Sequence, residues 1–374
     1  MITLRVTLDE LAATPHGGAS RYAGELTRAL IATAPADTEV VGAVPASPEP
    51  DYERITRLLP GLARLEKNVL APRELAAAWR RGLLRPRRTG MLHATGMLAP
   101  LGPHDRVHQP GDQVVVTVHD AIAWTAPELL PPGVAGWRRA MGSRIERYAD
   151  AVVVPSHAVA AELAEHLELG ERIRVVPGAP SSSLLPPDDA DADARAAALG
   201  LPERYLLTVA STEPRKNLGA LLEALGRTRE QLPLVVVGAG TDEVAELARD
   251  AGLADGRVLA LAGLADDELG VAYLRAHAYL QPSEAEGFGI AVMEALGFGL
   301  PIIHTDVPAL DELTAGAALT VDRASEGLAA RLADAIDALD GATVDRLSTA
   351  AGDRARAFSW RDSAEQVWRL HADL

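Results

Sequence analysis

Cysteine is absent from this 374-residue chain, which removes disulfides, thiolate zinc sites, iron–sulfur clusters and cysteine nucleophiles. Aromatic residues make up only 4%. Lysine is rarer still, for among 36 basic residues only Lys67 and Lys216 are lysine. No apolar run reaches the ~18 residues of a membrane span. Met1-Ile2-Thr3-Leu4 leads directly into strand-like sequence with no basic leader, so the expectation is a cytoplasmic protein. Several motifs are missing too. There is no H-E-x-x-H, G-x-S-x-G, P-loop or EF-hand loop, and no D-x-D at a strand end. Gly238-Ala239-Gly240 follows a strand but meets Glu243 where a dinucleotide fingerprint needs its third glycine. NADH titration would test a nicotinamide-dependent dehydrogenase, which that substitution disfavours.

What remains is ordinary soluble composition, 48% hydrophobic and 24% charged, in a chain long enough for two domains. Residues 1–180 hold 20 basic and 20 acidic side chains. Of the totals of 36 and 52, residues 181–374 therefore keep 16 and 32. The net charge of −16 lies wholly in the second half, which implies two separately composed units and argues against a nucleic-acid partner.

Short β-branched runs alternate with Ala/Leu-rich helical stretches, the pattern of parallel α/β sheets. Strands are predicted at Ile2–Leu8, Glu39–Val44, Val114–Val118, Ala151–Val154 and Ile173–Val176. After Gly178–Pro202, read as an interdomain linker plus a short helix, they resume at Tyr205–Ala210, Leu234–Gly238, Arg257–Leu261, Ala278–Gln281, Pro301–His304 and Ala318–Val321. The economical reading is two Rossmann-like domains, residues 1–180 and 181–358, facing each other across a cleft.

Ligands of open parallel sheets bind outside the carboxyl ends of strands, and four such places carry chemistry. The first is Pro282-Ser283-Glu284-Ala285-Glu286-Gly287-Phe288-Gly289, running into a helix that contains Glu294. Its glycines let backbone amides approach a ligand, and Glu286 and Glu294 lie at two depths along it, suited to two sets of hydroxyls. The second is Glu213-Pro214-Arg215-Lys216-Asn217, read as two cations beginning a helix. There they oppose the helix dipole unless an anion, such as a diphosphate, joins them. The third is Thr14-Pro15-His16-Gly17-Gly18, a glycine turn into a helix. The fourth is Thr117-Val118-His119-Asp120, a histidine at a strand end, with His93 as a weaker analogue. For the last two, a plain turn and a structural histidine are the commoner explanations.

Together these segments resemble the retaining enzymes of glycosyltransferase family 4, in the right order and over nearly the whole chain. The most specific parts are the E-x₇-E pair Glu286/Glu294 and Glu-Pro-Arg-Lys-Asn at 213–217. Phe358-Ser359-Trp360-Arg361 looks like the start of the family's last helix, about 359–374, which crosses back to the N-terminal domain. The resemblance implies the α/β GT-B fold, with an N-terminal acceptor-binding domain and a C-terminal nucleotide-sugar-binding domain. It also implies metal-independent, retaining transfer of a hexose from a nucleoside-diphosphate sugar to a glycan, lipid-linked or small-molecule hydroxyl, in glycan biosynthesis. No metal site and no cofactor beyond the donor substrate are expected.

In residues, the resemblance gives Arg215 and Lys216 the donor diphosphate, and Glu286 the sugar hydroxyls, with Gly287, Phe288 and Gly289 beside it. Glu294 takes the ribose, Gly263 and Leu264 lie near the nucleobase, Gly17 and Gly18 approach the phosphates, and His119 faces sugar and acceptor. The Glu-Pro-Arg-Lys-Asn form is mannosyltransferase-like, so GDP-mannose is the first donor guess, UDP-sugars the next. Departures from the pattern are Pro177-Gly178-Ala179-Pro180, where Pro-Asn-Gly-Val-Asp is usual, and Ala210 in place of glycine. The alternatives are a GT-B sugar-nucleotide epimerase and a non-catalytic sugar-nucleotide-binding protein. Finally, Trp79–Arg88 carries five arginines among apolar residues. A solvated basic helix end is its favoured reading, ahead of peripheral contact with the inner face of a membrane through Arg80–Arg88.

Overall fold

The computed structural model describes residues 2–12, 17–83, 90–105, 108–184 and 189–374. Thr14, Pro15 and His16 of the glycine turn, and Arg85, Arg87 and Arg88 of the basic segment, lie outside the described residues. The chain divides into two compact units, Met1–Gly178 with Ser359–Leu374, and Ala179–Phe358. Among the described residues no helix is long and apolar enough to cross a membrane.

The first unit is built on strands β1 (Ile2–Thr7), β2 (Thr38–Val44), β3 (Leu65–Lys67), β4 (Met91–Ala94), β5 (Gln113–Thr117), β6 (Ala151–Val154) and β7 (Ile173–Val175). They form one sheet in the order β3-β2-β1-β4-β5-β6-β7, parallel throughout. The second unit holds β8 (Leu206–Val209), β9 (Leu234–Val237), β10 (Val258–Leu261), β11 (Ala278–Gln281), β12 (Ile302–Thr305) and β13 (Leu319–Val321). Their order is β10-β9-β8-β11-β12-β13, again all parallel. In each unit the chain builds outward from its first strand, then returns to that strand's other side. This doubly wound pattern places a topological switch point between β1 and β4, and another between β8 and β11.

The central strands are buried on both faces, as helix-covered parallel sheets require. That is why Val-Val-Val at 152–154 and Leu-Val-Val-Val at 234–237 read as unbroken apolar runs. Two strands escaped the sequence pattern. β3 is a three-residue edge, Leu-Glu-Lys, and β4 reads Met-Leu-His-Ala without one β-branched residue. His93 thereby lies inside β4, wholly buried, with Nε2 3.3 Å from the Thr117 hydroxyl. It is part of the core rather than a strand-end ligand.

The C-terminal helix Trp360–Asp373 begins at Ser359, whose hydroxyl caps it, and belongs to the first unit. Ser363 Oγ donates to Pro177 O at 2.6 Å, and Trp360 meets Tyr22 edge-on at 5.6 Å. His371 and Gln113 are bonded twice. The His371 ring donates from Nδ1 to Gln113 Oε1 at 2.8 Å, and Gln113 Nε2 donates to His371 O at 3.0 Å. In the second unit the short helix expected in the linker-like stretch is present. Helix Asp189–Ala198 pairs with helix Asp266–Arg275 through Arg195–Asp267 and through Arg275–Asp193 at 2.6 Å.

Candidate functional site

At the second switch point, the loop after β8 and the loop after β11 are joined. Glu284 N donates to Arg215 O at 2.7 Å, and Asn217 Nδ2 reaches Glu284 Oε2 at 3.4 Å. Arg215 and Lys216 do not begin an α-helix, contrary to expectation. Pro214–Lys216 is a single 3₁₀ turn, and the helix starts only at Leu218. Asn217 between them adopts the left-handed conformation at φ 50°, which asparagine tolerates better than most residues and which breaks the helical run.

The anion that these cations were expected to await is already supplied by the chain. Lys216 Nζ is ion-paired with Glu286 Oε1, and Arg215 Nη1 lies 3.5 Å from Glu286 Oε2. Arg215 Nη2 is also 2.7 Å from Glu213 Oε2. The side chains of Glu286 and Lys216 are 8% and 15% exposed, so water screens their pair little. Burial pushes the Glu286 carboxyl up, but Lys216 and Arg215 outweigh it and hold Glu286 below the usual carboxylate range. Two uncharged donors complete its shell, Gln281 Nε2 and Ser283 Oγ, each 2.8 Å from Oε1. Gln281 is itself fixed by the Tyr279 hydroxyl, which donates to its Oε1 at 2.6 Å.

Behind this cluster, helix Ile290–Gly297 starts at Gly289. There φ is +77°, and a Cβ would stand 2.4 Å from Leu310 Cδ2. Gly287 and Phe288 form the turn before it. Gly289→Ala is expected to lower stability by about 1–3 kcal/mol, from left-handed strain plus overpacking, measured as urea midpoint at constant m-value. Glu294 sits in the middle of the helix, 2% exposed, and accepts from the Tyr273 hydroxyl at 2.9 Å. Tyr273 is stacked on Phe298 with centroids 5.4 Å apart. Gly263 and Leu264 follow the edge strand β10, two strands from β8, or about 10 Å away at the usual strand spacing. Gly263 has φ +70° and open space around it.

At the first switch point, Gly17 caps helix Gly18–Ala32. Its N–H donates to Ser20 Oγ at 3.1 Å. A Cβ at Gly17 would meet nothing within 4 Å, and its φ of −130° is open to any residue. The fold itself does not ask for glycine here. His119 lies just past β5, with Nε2–H donating to Thr95 O at 2.8 Å. Tyr22 packs edge-on against its ring at 4.8 Å. Burial lowers the His119 pKa, partly countered by Glu10, Thr95 O and Asp120, while Arg138 adds to the lowering. The ring is held neutral, with Nδ1 as its acceptor nitrogen. Asp120 beside it is clamped by Arg138 Nη1 at 2.8 and 3.0 Å.

The second sheet thus gathers Arg215, Lys216, Glu286, Gly287, Phe288, Gly289 and Glu294, with Gly263 and Leu264 further along its edge. His119, Gly17 and Gly18 belong to the first unit. Sequence reasoning missed Glu213 as a partner of Arg215, and Tyr279, Gln281 and Ser283 as the support of Glu286. The one available signal was three polar residues within five positions of a strand end. Among the described residues no group of three or more His, Asp or Glu side chains converges as a metal site.

Residues 16–179 match the model described as Glycosyltransferase Family 4, and residues 189–351 the model described as Glycosyl transferases group 1. O-antigen chain mannosyltransferase B of Escherichia coli is 30% identical over 170 residues, 44% of this chain and 44% of that protein. The match therefore spans less than half of that relative. The MMP alpha-(1->4)-mannosyltransferase of Mycolicibacterium hassiacum is 25% identical over 336 residues, 79% of this chain and 76% of that protein. Among solved structures, Anabaena HepE in complex with UDP and glucose superposes with a TM-score of 0.76 at 15% identity, covering 100% of both chains. At that identity the likeness speaks for the two-sheet fold.

Proposed function

Because this chain belongs to the glycosyltransferases of family 4, whose fold is GT-B, we propose that it transfers a hexose from a nucleoside-diphosphate sugar to a hydroxyl acceptor, with retention and without a metal. The observation that carries the reading is the Arg215–Lys216–Glu286 cluster at the switch point of the second sheet. When the sugar leaves, negative charge grows on the departing phosphate and positive charge at the anomeric carbon. Arg215 and Lys216 stabilise the first, and Glu286 holds the sugar hydroxyls. Glu294 grips the ribose, with the base toward Gly263 and Leu264. The leaving phosphate helps to take the acceptor proton, in keeping with a sequence that offers no clear carboxylate nucleophile of glycosidase type. His119, neutral, accepts a hydroxyl hydrogen bond at Nδ1.

Mannose is the first sugar to try and GDP the first base, because both relatives described above are mannosyltransferases. The UDP bound in the structural neighbour makes UDP-sugars next. The acceptor, whether glycan, lipid-linked or small molecule, belongs to the first unit. Leu83 of the basic segment is 57% exposed, and vesicle binding of Arg80→Ala/Arg81→Ala against the unaltered chain tests whether that segment meets a membrane.

Calorimetry with GDP, UDP, ADP and dTDP, with Mg²⁺ and with EDTA, tests the reading. Micromolar binding of one nucleotide in EDTA is expected, and binding of none overturns it. Product analysis without acceptor separates transfer from epimerisation. Gly17→Ala should leave the melting temperature unchanged and lower kcat/KM. Unchanged activity would remove Gly17 from the ligand's path.

A further inference from the structure

The cation pair is electrically satisfied by the chain's own carboxylates. Arg215 and Lys216 contribute two positive charges, and Glu213 and Glu286 two negative ones, all within ion-pairing distance. A diphosphate entering here does not meet a bare cationic cradle; it competes with a carboxylate already seated between the two cations. Displacement has a cost, because a buried charge that loses its partners is strongly destabilising. Glu286 is protected from that cost by donors that do not depend on the cations. Gln281 Nε2 and Ser283 Oγ both bond Oε1. Both residues are buried, 2% and 0% exposed, and Tyr279 locks the orientation of Gln281. When the cations turn to a ligand, this uncharged shell keeps the carboxylate in place.

We propose that Glu286 is the protein's internal stand-in for the donor diphosphate, bridging Arg215 and Lys216 until a nucleotide takes them, and that Gln281 is the positioning residue that then holds its carboxylate for the sugar. This rests on the function proposed above and adds to it an internal competitor for the nucleotide and a residue that acts through Glu286. Bare nucleoside diphosphate must expel Glu286 from the cations without gaining the contacts between Glu286 and sugar. A complete sugar nucleotide recovers them, so the device favours the donor over the product that remains after transfer.

The test is calorimetry of GDP and UDP, with melting temperatures and steady-state kinetics, on the unaltered chain, Glu286→Gln and Gln281→Leu. Glu286→Gln should bind the nucleoside diphosphate about tenfold more tightly, equivalent to about 1.4 kcal/mol. Its melting temperature should rise more on nucleotide addition, because Lys216 has lost its carboxylate and Arg215 keeps only Glu213, while kcat falls about a hundredfold. Should that variant not fold, Glu286→Asp, which withdraws the charge by one methylene, is expected to shift affinity in the same direction. Gln281→Leu should leave nucleotide affinity within about twofold, because Ser283 still bonds the displaced carboxylate, and lower kcat about tenfold with little change in donor KM, the split expected of a group acting after binding. Equal or weaker nucleotide affinity in the Glu286 variants overturns the stand-in. Unchanged kcat, or equal losses of kcat and affinity, in Gln281→Leu overturns the positioning role. If the unaltered chain binds none of the nucleotides, the proposed function itself falls, and this inference with it.

Discussion

Lys216→Ala is expected to weaken nucleoside diphosphate binding by about 10–100-fold, the worth of one hydrogen bond to a charged group in a poorly hydrated site. Turnover should fall further, because the charge that Lys216 meets is greater on the departing phosphate than in the intact donor. Calorimetry with the bare nucleotide isolates the first effect, and kcat at saturating donor the second. Lys216→Arg should recover only part of either loss. Lysine offers a compact ammonium on a flexible stem, whereas the guanidinium is a planar fork needing more room, in a position where Lys216 is 15% exposed and already in contact with Glu286. Unchanged nucleotide affinity in Lys216→Ala would take Lys216 out of the diphosphate site.

A large effect is also expected from acid. His93 and His371 are 0% and 3% exposed, with ring centroids 5.8 Å apart. Burial lowers the pKa of His93 from 6.5 to about 4; burial and the neighbouring His93 lower that of His371 to about 3. Neither ring accepts a proton in the folded chain near neutrality, while the unfolded chain takes one on each below pH 6.5. Protons favour the unfolded state across that window, so the stability present at pH 7 declines as pH falls from 6.5 through about 4. At 1.36 kcal/mol per pKa unit, the full loss is on the order of 3 kcal/mol for His93 alone.

The side chains bonded to these rings are uncharged, Thr117 to His93 and Gln113 to His371. The measurement is the urea midpoint from pH 7 to pH 4.5. His93→Phe should reduce proton uptake on unfolding by close to one at the lower end. An identical slope in that variant would refute the assignment. The helix Trp360–Asp373 should loosen first, because the added proton puts a charge on the buried Nε2 of His371, beside the His93 ring.

How much of this was legible beforehand depends on where the physics is local. Eleven strands were readable: the central ones because a strand covered on both faces by helices must be apolar along its length, as Val-Val-Val and Leu-Val-Val-Val are, and the edge strands β7, β10 and β13 because Ile-Arg-Val, Val-Leu-Ala-Leu and Leu-Thr-Val keep aliphatic residues in short runs. β3 and β4 were not, since an edge strand can be three residues of Leu-Glu-Lys and a strand that contains a buried histidine can lack β-branching. The loops that carry the candidate site were also legible. Glycines, a Glu spacing of eight and a lysine in an arginine-rich chain are features of composition and order. Their adjacency was not, for Glu213 and Glu286 are 73 positions apart in the chain and share Arg215 only because β8 and β11 are neighbours in the sheet.

By itself, then, the sequence determined the alternating α/β pattern, the division of charge between two units and the residue types available at the strand ends. Those follow from burial periodicity and backbone freedom, which act over a few residues. Only the tertiary structure decided which of those residues meet. It paired both cations with carboxylates of the chain, moved them out of the helix into a 3₁₀ turn, buried Glu294 against Tyr273 and set Gln281 behind Glu286. Electrostatic partnership depends on distance in space, and in a doubly wound sheet strand order brings together what the chain keeps far apart.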